Sequence, residues 1–374
     1  MASPNPYHYG TPVSGDQFAG REIELSALEQ RMRDGINVVL TAPRRYGKTS
    51  LLARASDAMV ADGAAVASVN VLACRDENSL ASRLATAAYA ARGGRWHRLR
   101  QAAAEFAKRL RVSPTVTFDG DAPRFAFAPS LATAEADTVI EDVYALLAEL
   151  AGRAPAVLVL DEFQAITDLG GHLPGLFKSL ADTHPQVCLV LAGSRQHLMQ
   201  RLVSDRGAPL YGLAERLALD VLPTPVMSDF LIRRAFAAGK SMSALAAARI
   251  IDLAGPVPND IQHLAYETWG ESGRSISVLD VEAALARTVQ HEASSHADRY
   301  GGLAAGQRRV LTALAAGPSD EPYAAAFVRA AGLASGSSVG RALEALIAVE
   351  LVVRRGGTYQ VADPFFAAWL TGIA

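Results

Sequence analysis

Lys48, Thr49, Asp161 and Glu162 are the residues of this 374-residue chain whose types and settings could do chemistry together. Lys48 and Thr49 close the run Ala42-Pro43-Arg44-Arg45-Tyr46-Gly47-Lys48-Thr49, with an apolar stretch, Ile36 to Leu40, before it and a helical pattern beginning Ser50-Leu51-Leu52 after it. A strand, a loop and a helix start in that order let successive backbone N–H groups curl round an anion, with the helix dipole behind them. The spacing predicts a phosphate-binding loop built from Ala42, Pro43, Arg44, Arg45, Tyr46, Gly47, Lys48, Thr49 and Ser50. Lys48 then reaches the β- and γ-phosphates of ATP, and the Thr49 hydroxyl takes a Mg²⁺ position. Ala42 stands where such loops usually begin with glycine, which narrows the backbone angles open to it.

The carboxylates follow a second apolar stretch, Ala156-Val157-Leu158-Val159-Leu160, which runs into Asp161-Glu162-Phe163-Gln164. A buried strand that delivers two adjacent carboxylates at its C-terminal end puts Asp161 on the magnesium shell and leaves Glu162 to orient and polarise an attacking water. Either half alone is a common pattern. Together they read as Walker A and Walker B elements of one nucleotide site.

The elements that must hold these residues follow from periodicity. A helix opens at Phe18-Ala19-Gly20-Arg21-Glu22, reads through Leu25, Leu28 and Met32, and stops at Gly35. Strands are expected at 65–71, 156–160, 187–192 and 217–222, with helices at 79–91, 95–111 and 134–152. A hairpin pairs Thr115–Phe118 with Arg124–Phe127. Strands alternating with helices predict an α/β fold with a parallel sheet. The order expected is 5-1-4-3-2, that of P-loop folds with a catalytic glutamate. Pro223 and Pro225 mark a boundary, and 226–298 reads as entirely helical, with Asp280 as an N-cap. After Leu303 come three short helices and then Leu351–Val361, read as strand, glycine turn and strand, which makes a winged helix. The expected domains are an extended segment 1–17, an ATPase core 18–222 with an insertion at about 75–132, a helical lid 223–298 and a winged helix 299–374.

Composition narrows the setting. The longest apolar runs break well before the roughly 18 residues a membrane helix needs, and the first twenty residues lack the apolar core of a signal peptide. Cys74 and Cys188 are the only cysteines, and both read as reduced core thiols, which together with the absent signal predicts a cytoplasmic protein without a zinc site. A net charge of −2 supplies no global pull towards nucleic acid. The most basic stretch lies in the insertion, where Arg92, Arg95, Arg98, Arg100, Lys108, Arg109 and Arg111 interleave with Trp96 and His97 and are opposed only by Glu105. It suits either a phosphate backbone, a docking partner or simple solvation.

These residues resemble the archaeal-type ATPases of the STAND branch of the AAA+ superfamily. The likeness spans nearly the whole chain and rests on Phe18-x-Gly20-Arg21-Glu22-x-Glu24-Leu25, the loop from Pro43 to Leu52, and Leu160-Asp161-Glu162-Phe163-Gln164. It continues through Ala192-Gly193-Ser194, Pro209-Leu210-Tyr211-Gly212, Gln307-Arg308, Tyr359, Asp363-Pro364 and Trp369-Leu370. The resemblance implies an ATPase core, a helical lid and a winged helix whose arrangement follows nucleotide state. Phe18 and Arg21 resemble the family's adenine-side entry strip, although Phe18 would also serve as a hydrophobic staple for the first helix. Ser194 falls where a sensor meets the γ-phosphate or the water, and it could equally cap the next helix; Gln164 is a weaker candidate of the same kind. Leu213 occupies the family's arginine position, which leaves Arg216, three residues on, as the arginine candidate beside Arg201 and Arg206. The lid turn, Gly255-Pro256-Val257-Pro258, carries no basic side chain, so hydrolysis is expected to be slow without a protein partner or a second copy. Double-stranded DNA is the other partner the winged helix suggests, through Arg341, Arg354 and Arg355, against a nearly neutral surround.

Overall fold

The computed structural model describes residues 4–13, 15–91, 108–110, 112–119, 122–129 and 135–373. The chain divides into two compact units, 12–221 and a second made of 1–11 with 222–374.

The strands of the first unit are β1 (Val38–Thr41), β2 (Val66–Asn70), a hairpin of β3 (Val112–Asp119) and β4 (Ala122–Pro129), then β5 (Ala156–Asp161), β6 (Val187–Gly193) and β7 (Glu215–Ala218). Five of them form a parallel sheet in the order β2-β5-β6-β1-β7. Counting sheet strands alone, this is the expected 5-1-4-3-2 order. Val157 to Leu160 and Cys188 to Leu191 are all fully buried, because an inner parallel strand is covered on both faces and needs no polar alternation. Each such Val or Leu contributes about 1.5–3 kcal/mol through burial. Burial also pushes the Cys188 thiol up to about 12 and raises that of Cys74, and both are buried free thiols.

The last sheet strand departs from expectation. It is Glu215–Ala218, not 217–222. β7 pairs only with β1 and lies at the sheet edge with Glu215 and Arg216 exposed, so the apolar run that follows it is not what selects the pairing. Of the basic insertion, Lys108 and Arg109 lie within the described residues, with Arg109 paired to Glu149, while Arg92 to Glu105 and Arg111 lie outside them.

In the second unit, residues 224–301 are mostly helical but not entirely. β8 (Ser241–Met242) and β9 (Ser275–Ile276) form a short parallel pair, and the long helix expected from 281 breaks at Glu292 into Val278–His291 and Ala293–Gly301. Ser277, not Asp280, is the N-cap; Asp280 is its reciprocal partner in a capping box, accepting from the Ser277 backbone. The first residues of the chain belong here. Tyr7 is fully buried and donates its hydroxyl to the Leu231 carbonyl at 2.7 Å, Tyr9 stacks on His263 at 4.0 Å, and Gly10 N–H donates to Asn259 Oδ1 at 2.8 Å.

The C-terminal part has helices Ala305–Ala316, Ala325–Ala330 and Gly336–Ala348, then β10 (Val352–Arg355) and β11 (Thr358–Val361), antiparallel about Gly356 and Gly357 at φ 56° and 95°. This is the winged-helix pattern, with Val310, Leu314, Val339, Leu346, Phe366 and Leu370 in its core.

His296 lies against this core, buried, with its ring 5.1 Å from Phe366 and 5.9 Å from Trp369. Nε2 is 3.4 Å from Glu292 Oε2 without making a hydrogen bond, and among the described residues neither ring nitrogen has a hydrogen-bond partner. Burial lowers its pKa, with Asp363 acting against that and Arg299 adding to it. The unfolded chain therefore takes the proton first. Stability present above the ordinary histidine value of about 6.5 is lost as pH falls through the lower folded value. His296→Phe is expected to flatten this acid-side loss, checked by comparing thermal midpoints of the two proteins between about pH 7 and 5.

Candidate functional site

Thr41 of β1 lies in register with Gly193 of β6, and Leu160 of β5 with Leu191, so the C-terminal ends of three neighbouring strands meet. Such an edge is where open α/β sheets place ligands.

After Thr41 the chain makes a tight loop with two left-handed residues, Arg45 at φ 68° and Gly47 at φ 85°. Alternating hands turn successive N–H groups to one side, the geometry of an anion nest. For Arg45 that conformation costs about 1–2 kcal/mol. A side chain at Gly47 would meet nothing within 4 Å, so glycine is demanded there by backbone angle and not by space. Gly47 is the N-cap of helix Lys48–Ala61, with no side chain capping it and no acidic residue in the first turn. The loop start is tied to the sheet by Ala42 N–H donating to the Gly193 carbonyl at 3.3 Å.

Lys48 is buried. Its ammonium donates to Asp161 Oδ1 and lies 3.1 Å from Glu162 Oε1. Thr49 Oγ1 donates to the other Asp161 oxygen at 3.0 Å. Glu162 adopts the left-handed conformation, φ 54°, which swings its carboxylate round from the strand line towards β6. There its Oε2 accepts from Ser194 Oγ at 2.7 Å and from Gln164 Nε2. Burial pushes the Glu162 carboxyl up, but hydrogen bonds from Ser194 and Gln164 and the charge of Lys48 outweigh it, and the group sits below the ordinary glutamate range. The result is a carboxylate kept ionised, with both oxygens engaged.

Five expected site residues, Lys48, Thr49, Asp161, Glu162 and Ser194, thus come together with the weaker candidate Gln164 in one hydrogen-bonded cluster. The other loop residues flank it. Arg44 and Arg45 are exposed, Pro43 is half-buried, and Tyr46 is buried. The Ser50 hydroxyl is buried and accepts from Val13 N–H at 2.9 Å, so it anchors the incoming chain. Arg21 is buried as well. It donates to the Tyr46 carbonyl at 3.4 Å and to the Asp220 carbonyl at 2.5 Å, and pairs with Glu24 at 2.6 Å. Phe18 is half-buried beneath the Arg54 guanidinium, 5.0 Å from it. Arg216 is exposed on β7 opposite Val39, and among the described residues neither it nor Phe18 shares a hydrogen bond with the Lys48 cluster. Arg201 and Arg206 are exposed too.

Sequence reasoning missed the Arg21 clasp and the Val13–Ser50 bond, which join residues far apart in the chain and leave no local pattern. It also missed a surface cluster in which His172 Nε2 lies 3.0 Å from Asp137 Oδ2 and Nδ1 lies 3.7 Å from Glu77 Oε1. The hydrogen bond to Asp137 holds the His172 pKa above its usual value. With each ring nitrogen facing a different carboxylate, this is the geometry of an imidazolium between two acids.

Gly193 is the tightest point of the site. A Cβ there would stand 2.4 Å from Met199 Cγ, 2.5 Å from Met199 Sδ and 2.7 Å from Gln164 Oε1. Gly193→Ala is expected to lower stability by about 1–3 kcal/mol, read as a lower urea midpoint at unchanged slope, since Met199 and Gln164 must both shift in a packed interior.

A family model described as a probable winged helix domain matches residues 295–372. No match was found among curated protein sequences. Among solved structures, the chain is similar to the Walker-type ATPase PABY2304 of Pyrococcus abyssi, at 19% identity and a TM-score of 0.62, over 95% of this chain and 97% of that one. It is also similar to the Aeropyrum pernix ORC2 protein, solved as ADPNP–ADP complexes, at 15% identity and a TM-score of 0.54, over 94% of this chain and 93% of that one. The chain shares the fold of these two structures, and its C-terminal end matches a winged helix.

Proposed function

We propose that the chain binds and hydrolyses Mg-ATP and works as a STAND-type, nucleotide-dependent conformational switch. The observation that carries this reading is the Lys48 ammonium held against Asp161 and Glu162, with Thr49 on the same aspartate, at the mouth of a left-handed loop. A buried lysine whose partners among the described residues are carboxylates is poised for exchange: phosphate oxygens offer it the same charge, and the loop N–H groups offer them a cradle.

The residues fit a magnesium–nucleotide complex. Thr49 Oγ1 and the Asp161 carboxylate present hard oxygens side by side, the donor set that Mg²⁺ takes in such sites. The ion supplies charge neutralisation on the β- and γ-phosphates when bound. Lys48 binds the same phosphates, and its departure from Glu162 frees Oε1 to take a hydrogen bond from water. Glu162, ionised and fixed through Oε2, then orients that water and draws on its proton. Phe18 and Arg21 are proposed for the adenine side, and Ser194 for sensing the γ-phosphate. Arg216 is the cis candidate for transition-state charge, and its distance from the cluster in bonding terms favours slow turnover until a protein partner or second copy contributes.

A second reading, ATP-modulated binding of double-stranded DNA, is supported by the winged-helix match and by the wing itself, where the Arg354 guanidinium lies 5.2 Å over Tyr359 beside an exposed turn. Steady-state ATP turnover with Mg²⁺, with EDTA, and with and without duplex DNA tests both. Slow turnover that EDTA abolishes supports the first reading; DNA stimulation with a steep salt dependence supports the second. ATP neither bound nor hydrolysed would sink both.

A further inference from the structure

We infer that Gln164 is the positioning residue for Glu162, holding the carboxylate through Oε2 while Ser194 and Lys48 change partners. The inference rests on the hydrolytic reading above and assigns Gln164 a role towards the carboxylate instead of the phosphate.

Ser194 Oγ has one proton, and it is donated to Glu162 Oε2 at 2.7 Å. A hydroxyl that turns to a phosphate oxygen must release that bond. Lys48 likewise cannot keep Glu162 Oε1, 3.1 Å away, once it serves phosphates. Gln164 is different. Its amide nitrogen has two protons, one on Glu162 Oε2 and the other facing Ser194 Oγ at 3.5 Å, so losing the serine contact leaves the glutamate contact intact. It is the one neutral donor to Glu162 that nucleotide has no call on.

Geometry points the same way. The left-handed turn at Glu162 leads into the short helical turn Phe163–Ala165, which puts residues 162 and 164 together at the end of β6. Gln164 is buried there, and its carbonyl oxygen has no hydrogen-bond partner among the described residues. Flipping the amide would turn that carbonyl onto the carboxylate and place two acceptors in contact. The side chain leaves its own acceptor unsatisfied and keeps its donor on Glu162. Gly193 makes room for this: any side chain there would press on Gln164 Oε1.

A residue that fixes one oxygen of the base decides where the other points. Removing it should leave ATP binding alone and slow the step that uses Glu162. It should also make Glu162 easier to protonate, because a donor that favours the ionised form is gone.

The test compares wild type, Lys48→Ala as the blank, and Gln164→Met, which keeps length and volume but donates nothing. Gln164→Asn is the second variant, for the case in which methionine disturbs folding; its amide is one methylene short. Expected for both is a fall in kcat of about 10–100-fold at unchanged KM for ATP, with the acid limb of the kcat–pH profile moved to higher pH. A purely structural role would lower the melting temperature and leave the acid limb where it was. Wild-type turnover with unchanged kcat and acid limb in the folded variants overturns this inference alone. Wild-type turnover no higher than the Lys48→Ala blank overturns the hydrolytic reading, and the inference falls with it.

Discussion

Lys48→Ala is expected to weaken ATP binding by a few hundred-fold, and to do so without unfolding the loop. The ammonium is proposed to serve two phosphate groups, and each charge-assisted hydrogen bond is worth about 1.5–3 kcal/mol. A combined loss of about 3–4 kcal/mol corresponds to that factor in Kd. Titration calorimetry with ATP and Mg²⁺ measures it directly, and affinity within a few-fold of wild type would remove the phosphate role. The same substitution has a second effect without nucleotide. Asp161 and Glu162, both largely buried, lose the cation between them. Removing one partner of a buried ion pair leaves the other charges uncompensated, so the nucleotide-free variant should melt below wild type at neutral pH.

Glu162→Gln is expected to lower turnover by about 10²–10⁴-fold while ATP stays bound. The change keeps shape and removes the charge that acts on water. It also leaves Lys48 with Asp161 as its remaining carboxylate partner, so less has to be undone when phosphates arrive, and ATP affinity should hold or rise. Gel filtration after incubation with Mg-ATP, followed by identification of the retained nucleotide, separates this from wild type: ATP in the variant, ADP in the parent. Turnover at the wild-type rate would assign water activation to another group.

The parts of this site that could be read in the sequence are those made by chemistry that is local in the chain. The phosphate loop needs a run of eight residues, and the paired carboxylates need only a strand in front of them. Inner strands such as 156–160 announce themselves as unbroken apolar runs, while their order was that expected of P-loop folds with a catalytic glutamate. β7 did not, since an edge strand with one neighbour tolerates Glu215 and Arg216 on its exposed side. The capping box at Ser277 was readable and misassigned by three residues, a choice between two oxygens that only the backbone decides. The role of Gln164 depends on a left-handed glutamate, and nothing in the order Asp-Glu-Phe-Gln reveals that angle. Arg21 and Val13 reach partners 199 and 37 residues away, beyond any periodic signal.

The opening residues carry a practical consequence for anyone who trims or cuts this chain. Tyr7 is bonded to Leu231, 224 residues away, and the chain passes from one compact unit to the other both near Thr11–Pro12 and near Val221–Leu222. A protease nick near Thr11–Pro12 leaves 12–221 and 222–374 joined in one chain, whereas a nick near Val221–Leu222 yields two chains, with the first eleven residues of one still packed in the unit formed by the other. Deleting the first eleven residues as a dispensable leader would remove a buried aromatic from the unit formed by 222–374 and take the tyrosine hydroxyl away from the Leu231 carbonyl. A purification tag belongs ahead of that segment, never in place of it.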